Sequence, residues 1–161
     1  MSELFEIDIH SSLKSYSGAI GSGIAPAALK DDGAIVVMDD ALEAFFFCLG
    51  NARSIRIPAR EASKTLETAA TVIERMRDLG ANRQSRLVAV GGGIIQDVAT
   101  FAASSYMRGI EWSYCPTTLL GMVDSCIGGK SSLNVGPYKN IAGNFFPPGR
   151  VLIDTEFCTS L

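Results

Sequence analysis

Three consecutive glycines at residues 91–93 constrain the fold of this chain more than any other feature, because they join two apolar segments. Residues 87–90 form a short apolar run that predicts a buried β-strand. Residues 94–107 are mostly apolar and rich in alanine, which predicts a helix that begins directly after the glycines. A strand, a tight turn and a helix in this order are typical of a sheet whose strands run parallel.

The same order recurs along the rest of the chain. Apolar runs predict further strands at residues 35–38, 55–57, 112–115 and 151–153. The segments between them predict helices at residues 40–49, 62–79 and 119–123, with Gly80 as the C-cap of the second. Residues 1–34 are weakly patterned, and we expect turns there at Gly18, Gly21, Gly23 and Pro26. Alternating strands and helices predict an α/β fold, a mostly parallel sheet with helices on both faces.

Length, charge and hydropathy limit the classes of function. With 161 residues the chain has the size of one domain, and we expect residues 1–161 to form a single one. A net charge of -3 without a basic block argues against nucleic acid as a partner. No apolar run approaches the roughly 18 residues of a membrane span, and the N-terminal segment has acidic residues where a signal peptide needs basic ones. We therefore expect a cytoplasmic protein that does not bind a membrane.

Cysteine and histidine offer no metal site in this sequence. The four cysteines form no CxxC pair, and we expect all of them to be reduced thiols. The single histidine, His10, cannot complete a histidine-rich metal site or a Ser-His-Asp triad with any neighbour in the sequence.

Two glycine motifs resemble phosphate-binding loops, but each lacks a glycine that the loop requires. Gly129-Lys130-Ser131 resembles the end of a P-loop, but Asp124 stands where that motif needs its first glycine. Gly21-Ser22-Gly23 resembles the start of GxGxxG, but Pro26 takes the third glycine position and no convincing strand precedes it. We expect a turn at the second motif and dinucleotide binding elsewhere.

Polar residues follow several predicted strands, where parallel sheets bind their ligands. Asp39, the glycines 91–93 and Thr117-Thr118 all stand directly after such strands. Glycines followed by a helix N-terminus suit a pyrophosphate, and Asp97 one turn later suits a ribose hydroxyl. The open alternatives are a tight turn at the glycines, a surface carboxylate at Asp97 and a plain helix cap at Thr117 or Thr118.

A second polar group lies further along the chain. Asp124, Lys130, Lys139 and Asn140 offer donors for a phosphate or carboxylate and acceptors for sugar hydroxyls. Solvated loop charges are the alternative for this group. For Glu61 and Lys64 the alternative is a local i, i+3 ion pair.

An ordered series of motifs in this sequence resembles the 3-dehydroquinate synthase family. The series runs EASKTLET at residues 61–68, GGGIIQD, YMRGI, PTTLLGMVDSCIGGKSSLN, KNIAGNFFPP and VLIDTEF, and the similarity covers roughly residues 35–161. The resemblance implies an NAD-binding domain of Rossmann-like type. It also implies a lyase that converts the sugar phosphate DAHP to 3-dehydroquinate and phosphate in the shikimate pathway.

The resemblance further implies a catalytic divalent metal, zinc or cobalt, whose ligands lie in a C-terminal helical domain of the family. That domain is absent from residues 1–161, so we expect an NAD-binding domain that is inactive alone and that forms a homodimer in the full-length enzyme. The alternatives are the same domain of another sugar-phosphate cyclase making a cyclitol, and a non-catalytic nucleotide-binding module. The PTTLLGMVDSCIGGKSSLN and KNIAGNFFPP blocks argue against a fourth possibility, a metal-dependent alcohol dehydrogenase of the glycerol dehydrogenase type.

The resemblance also assigns roles to individual positions. Contacts with NAD are implied for Asp39, Glu61, Lys64, Gly92, Gly93, Ile94, Asp97, Thr117, Thr118, Lys130, Lys139, Phe157, Ser160 and Leu161. Substrate-binding or catalytic roles are implied for Asp124, Lys130, Lys139 and Asn140. The sequence departs from the family at Gln96, where glycine is common, and at Ala59-Arg60, where Asp-Gly is usual.

Overall fold

The structure is a computed structural model that describes residues 4–26, 33–42 and 53–160. Within these residues a seven-stranded sheet is built from β1 (Phe5–Ile9), β2 (Tyr16–Gly21), β3 (Ile35–Asp39), β4 (Arg53–Ile57), β5 (Arg86–Gly91), β6 (Glu111–Pro116) and β9 (Arg150–Asp154). A separate antiparallel hairpin is formed by β7 (Leu133–Val135) and β8 (Tyr138–Ala142).

The strand order in the main sheet is β1-β2-β9-β6-β5-β3-β4. Only the pairing of β1 with β2 is antiparallel, and all other described neighbours run parallel. The carboxyl ends of β3, β5 and β6 therefore lie side by side. This arrangement brings Asp39, Gly91 and Pro116 to one edge of the sheet and confirms the predicted α/β fold with a mostly parallel sheet.

Two long helices cover one face of this sheet. They are α1 (Leu66–Asp78) and α2 (Gly93–Ser105), and their apolar sides pack on Ile35, Leu87 and Trp112 in one buried cluster. The opposite face buries a second cluster that includes Ala25, Val36 and Val88, and Leu42 and Phe157 pack against it. Continuous apolar strands such as β3 are needed because both faces of the sheet are covered.

The helix boundaries follow local signals. Thr65 caps α1 because its side chain accepts a hydrogen bond from the N–H of Thr68, so the helix begins later than predicted, after a 3₁₀ turn at Glu61–Ser63. Gly80 has a φ of 78° and ends the helix as predicted. The helix α2 ends before Met107 because that residue adopts a φ of 49° in a 3₁₀ turn at Tyr106–Arg108. Most of the predicted helix at residues 40–49 lies outside the described residues.

The expectation of turns within residues 1–26 was wrong for Gly18 and Gly21, which lie in β2. The strand β1 has exposed or half-exposed side chains throughout, which leaves little apolar signal in the sequence. Gly18 is needed in β2 because Ile7 of β1 lies across it, and a Cβ there would stand 2.8 Å from the Ile7 Cγ1 atom.

A strand does precede Gly21-Ser22-Gly23, contrary to expectation. The place that a phosphate would occupy after such a strand is nevertheless taken by a side chain of the protein. The buried carboxylate of Asp154 accepts hydrogen bonds from the N–H groups of Gly23 at 2.9 Å and Ala25 at 2.8 Å. These backbone donors are therefore satisfied internally and cannot serve a ligand without losing Asp154. In the described part of the chain, no helix is long and apolar enough to cross a membrane.

Candidate functional site

The glycine turn between β5 and α2 presents open backbone donors. Gly92 is the N-cap of α2, and no side chain caps it. The first N–H groups of a helix have no partner within the helix, and within residues 4–26, 33–42 and 53–160 those of Gly93 and Ile94 bind no other group. A Cβ at Gly92 would stand 2.9 Å from the Thr118 Cγ2 atom, whereas nothing lies within 4 Å of one at Gly93. The space over Gly93 is thus open to a phosphate group.

Thr117 and Thr118 border this turn on the side of β6. The N–H of Thr117 donates to the carbonyl oxygen of Gly91 at 3.1 Å. The hydroxyl of Thr118 accepts from the N–H of Gly121 at 3.2 Å, so Thr118 caps the short segment that follows, as predicted. That segment contains a π turn at Gly121–Ser125. Asp39 lies half-buried at the end of β3, where its carboxylate accepts from the N–H of Ala41.

A cleft of about 640 Å³ lies beside the first turns of α2. Its lining residues are Lys64, Asp97, Lys130, Ser131, Ser132, Asn140, Ile141, Ala142, Gly143, Asn144 and Phe145. Four of these, Lys64, Asp97, Lys130 and Asn140, were predicted as site residues from the sequence. Their side chains come from three separate parts of the chain, and the fold brings them to one cleft.

The ion pair of Lys64 and Asp97 stands at the base of this cleft. Their charged groups are 3.2 Å apart, and the side chains are only 12% and 15% exposed. The Lys64 ammonium also donates to the Asn140 side-chain oxygen at 2.6 Å. Burial raises the pKa of the Asp97 carboxyl above its ordinary value, while the charge and hydrogen bond of Lys64, the Ser132 N–H and the charge of Lys130 oppose that rise. Lys64 therefore favours the charged form of this carboxyl, against the effect of its burial.

Glu61 and Lys139 form the outer rim of the same region. The Asn134 side-chain amide donates to the Glu61 carboxylate at 2.9 Å and holds the pKa of that carboxyl below its ordinary value. The Lys139 ammonium is 3.9 Å from the Glu61 carboxylate and 71% of its side chain is exposed. Lys139 therefore keeps most of its hydrogen-bonding capacity for a ligand.

Asn134 connects Glu61, Lys64 and Asn140 by hydrogen bonds, and it was not among the site residues predicted from the sequence. Its N–H donates to the Lys64 carbonyl oxygen at 2.8 Å, and its side-chain oxygen accepts from the Asn140 N–H at 2.9 Å. Asn140 adopts a φ of 57°, a left-handed conformation that asparagine tolerates better than most residues. The signal for Asn134 was the polar SSLN block, whose partners lie too far along the chain for local patterns to show.

Close backbone packing fixes the segment that carries Lys130. The N–H of Ser131 donates to the Asn144 carbonyl oxygen at 2.8 Å, and the Ser131 hydroxyl donates to the Asn144 side chain at the same distance. A Cβ at Gly143 would overlap the carbonyl oxygen of Ser131. Only glycine at position 143 allows the two segments to approach so closely.

Gly143→Ala is therefore expected to lower the free energy of unfolding by about 1–3 kcal/mol, because backbone atoms cannot move aside as a flexible side chain would. Urea unfolding measures this change. Gly33→Ala is a matched control, since nothing lies within 4 Å of a Cβ at Gly33. Equal stability of the Gly143→Ala variant and the control would contradict the packing described here.

The other predicted site residues lie outside the cleft lining. Asp124 is exposed in the π turn at Gly121–Ser125, and Ile94 is half-buried in the first turn of α2. Phe157 packs against the apolar cluster on the second face of the sheet. Leu161 and the side chain of Ser160 lie outside the described part of the chain. Among the described residues, no three His, Cys, Asp or Glu side chains come together in a way that could hold a metal ion.

The fold and the site together define the class of protein. The chain superposes on 2-deoxy-scyllo-inosose synthase with a TM-score of 0.87 and 29% identity, covering 95% of this chain and 47% of that one. It superposes on 2-epi-5-epi-valiolone synthase from Streptomyces hygroscopicus subsp. jinggangensis 5008, a structure with NAD⁺ and Zn²⁺ bound, with a TM-score of 0.81 and 31% identity over 95% of this chain and 47% of that one. The domain thus has the fold that these two synthases share.

Within this class, residues 54–161 match the model of the 3-dehydroquinate synthase N-terminal domain, and the chain belongs to that family. The 3-dehydroquinate synthase of Methylacidiphilum infernorum (isolate V4) is 43% identical over 122 residues, 76% of this chain and 33% of that enzyme. The one from Thermoanaerobacter pseudethanolicus is 48% identical over 105 residues, 65% of this chain and 30% of that enzyme. The chain matches about a third of the length of these relatives.

Proposed function

We propose that this chain is the NAD-binding domain of a 3-dehydroquinate synthase, which acts in the shikimate pathway and as a homodimer when complete. The observation that carries the proposal is the open glycine turn at the N-terminus of α2, one helical turn before a charged cleft. Membership of the family and the NAD⁺ named in two related cyclase structures support the cofactor.

The residues present fit NAD in three places. A pyrophosphate would lie over Gly93, where a Cβ meets no atom of the described residues and where the first N–H groups of the helix have no partner within the helix. Asp39, at the adjacent strand end, could accept hydrogen bonds from a ribose hydroxyl. Thr117 and Thr118 would border the pyrophosphate, and Asp97 with Lys64 would border the nicotinamide end. When bound there, NAD supplies a hydride acceptor for a substrate hydroxyl carbon.

The polar cleft would then hold the sugar phosphate. Lys130 and Lys139 are both exposed ammonium groups, suited to a phosphate or carboxylate of the substrate. Asn140 is already bonded to Lys64 and Ser132, so its side chain is oriented before a ligand arrives. Asp124 would reach the substrate from the π turn. These groups would bind and orient the substrate beside Asp97.

The described residues do not fit a divalent metal, since they bring no set of three ligands together. A related cyclase structure contains Co²⁺ and another contains Zn²⁺. If the complete enzyme uses such a metal, its ligands come from outside the described residues. We therefore propose that residues 1–161 alone bind NAD without completing the reaction.

Calorimetric titration with NAD tests the proposal, and saturable binding is expected. Asp97→Ala is expected to weaken that binding about tenfold without unfolding the protein, because a charged hydrogen-bond acceptor is lost. Asp78→Ala is a matched control, since it removes an exposed carboxylate at the end of α1, outside the cleft. Affinity that is unchanged in Asp97→Ala would exclude the role given to that residue.

A second candidate is a cyclase that makes a different cyclitol, favoured by the TM-scores of 0.87 and 0.84 to 2-deoxy-scyllo-inosose synthase. One of those structures contains carbaglucose-6-phosphate. Titration of the NAD-loaded protein with DAHP and, separately, with carbaglucose-6-phosphate distinguishes the two. Preference for DAHP supports a dehydroquinate synthase, and preference for carbaglucose-6-phosphate supports the second candidate.

A further inference from the structure

Gln96 is a buried polar residue whose side-chain amide nitrogen and oxygen both hydrogen-bond to one partner residue. It lies on α2 directly before Asp97 and is only 3% exposed. Its Nε2 donates to the Ser125 carbonyl oxygen at 2.6 Å, and its Oε1 accepts from the Ser125 hydroxyl at 2.8 Å. Ser125 ends the π turn that carries Asp124. A two-point hydrogen bond therefore joins the first turns of α2 to the segment of Asp124.

Tyr114 extends this contact beneath the glycine turn. Its hydroxyl donates to the Gly91 carbonyl oxygen at 3.1 Å. Burial raises the pKa of the Tyr114 phenol above its ordinary value and keeps it neutral. Two buried polar contacts thus lie side by side, Tyr114 with Gly91 and Gln96 with Ser125. They touch both segments to which the proposed ligands would bind.

The segment Gly121–Cys126 has an exposed outer side, while Gly121, Met122 and Cys126 are buried. Val123 is 69% exposed and Asp124 is exposed as well. The π-helix is rare and occurs mostly as a single turn, so a short π turn depends on tertiary contacts for its stability. A buried amide that is bonded at both ends resists separation, since opening the contact leaves a donor and an acceptor unpaired.

We propose that Gln96 is a positioning residue that clamps residues 121–126 to the N-terminal turns of α2. The glycine turn and Asp124 then open as one unit, so that a ligand bound at the glycine turn also orders the segment of Asp124. The second part of this inference rests on the proposed function. Glycine is common at this position in the family, and a glycine could not make either hydrogen bond.

Hydrogen exchange of the ligand-free protein tests the clamp directly. Gln96→Met keeps the side-chain volume and removes both hydrogen bonds, and Ser125→Ala removes only the hydroxyl. Both are expected to speed exchange of the Met122 and Cys126 amides about tenfold, with little change in β9. Thr100→Val is the matched control, because the buried Thr100 hydroxyl on α2 has no partner among the described residues. Exchange at wild-type rates in Ser125→Ala and Gln96→Met would overturn the clamp.

Adding NAD separates a positioning role from a merely structural one. In the wild type, saturating NAD is expected to slow exchange at residues 121–126. In Gln96→Met, NAD is expected to bind within about threefold of the wild-type Kd and to leave exchange at these residues unchanged. Equal protection in Gln96→Met and the wild type would overturn the coupling. If the wild type did not bind NAD, the proposed function and the coupling would both fail, while the ligand-free rates would still decide the clamp.

Discussion

Gly93→Val is expected to weaken NAD binding at least about hundredfold, which corresponds to ~2.7 kcal/mol. The physical reason is steric. The N–H groups of the first α2 turn can reach a pyrophosphate only if nothing stands above them, and glycine leaves that space open. A branched side chain at position 93 would fill it. Calorimetric titration with NAD gives the two dissociation constants to be compared.

The same substitution is expected to leave the fold intact, and this separates loss of the ligand from loss of the domain. No atom lies within 4 Å of a Cβ at Gly93, and the residue is not left-handed. The melting temperature should therefore be unchanged or slightly raised, since glycine is a poor helix former. Gly93→Ala is a graded control with an intermediate affinity. Wild-type affinity in Gly93→Val would show that NAD does not approach this turn.

The parallel part of the fold could be predicted because its strands are buried on both faces. Strands such as β3 and β5 are nearly continuous apolar runs. The first ends at the polar residue Asp39 and the second at Gly91. The parallel register then fixes which strand ends are neighbours. The grouping of Asp39, the glycines 91–93 and Thr117 follows from that register, so the sequence was sufficient to predict it.

The hairpin and the first two strands could not be predicted because their patterns are weak. The hairpin of β7 and β8 includes a largely exposed strand, β8, whose polar residues resemble a loop. Its position depends on the hydrogen bond from Asn134 to the Lys64 carbonyl, between residues 70 positions apart in sequence. The role of Gln96 also depends on a residue that is distant in the sequence. The sequence shows that Gln96 stands where glycine is common in the family, but it does not show that Ser125 is the hydrogen-bond partner.

Lys64→Met is expected to lower the free energy of unfolding by ~3 kcal/mol at neutral pH, because it leaves the buried Asp97 carboxylate without its counter-charge. The loss should shrink in acid. Burial already raises the pKa of Asp97, and removing Lys64 raises it further. Between the ordinary carboxyl value of 3.8 and the raised one, the folded protein binds the proton more tightly than the unfolded chain. The contribution of Asp97 to stability is therefore greatest below its ordinary pKa and falls as the pH rises through its folded pKa.

Urea unfolding of the wild type and of Lys64→Met between about pH 3.5 and 7 measures this effect. The difference in free energy should be small at the acid end and should grow towards neutral pH. The double variant Lys64→Met/Asp97→Asn is the matched control, because it shares the loss of the Lys64 bond to Asn140 but has no carboxylate to titrate. Its difference from the wild type should lack this growth towards neutral pH. A loss of stability in Lys64→Met that did not change with pH would mean that Lys64 does not favour the charged form of Asp97. The ion pair of Lys64 and Asp97 could then not explain ligand binding in the cleft.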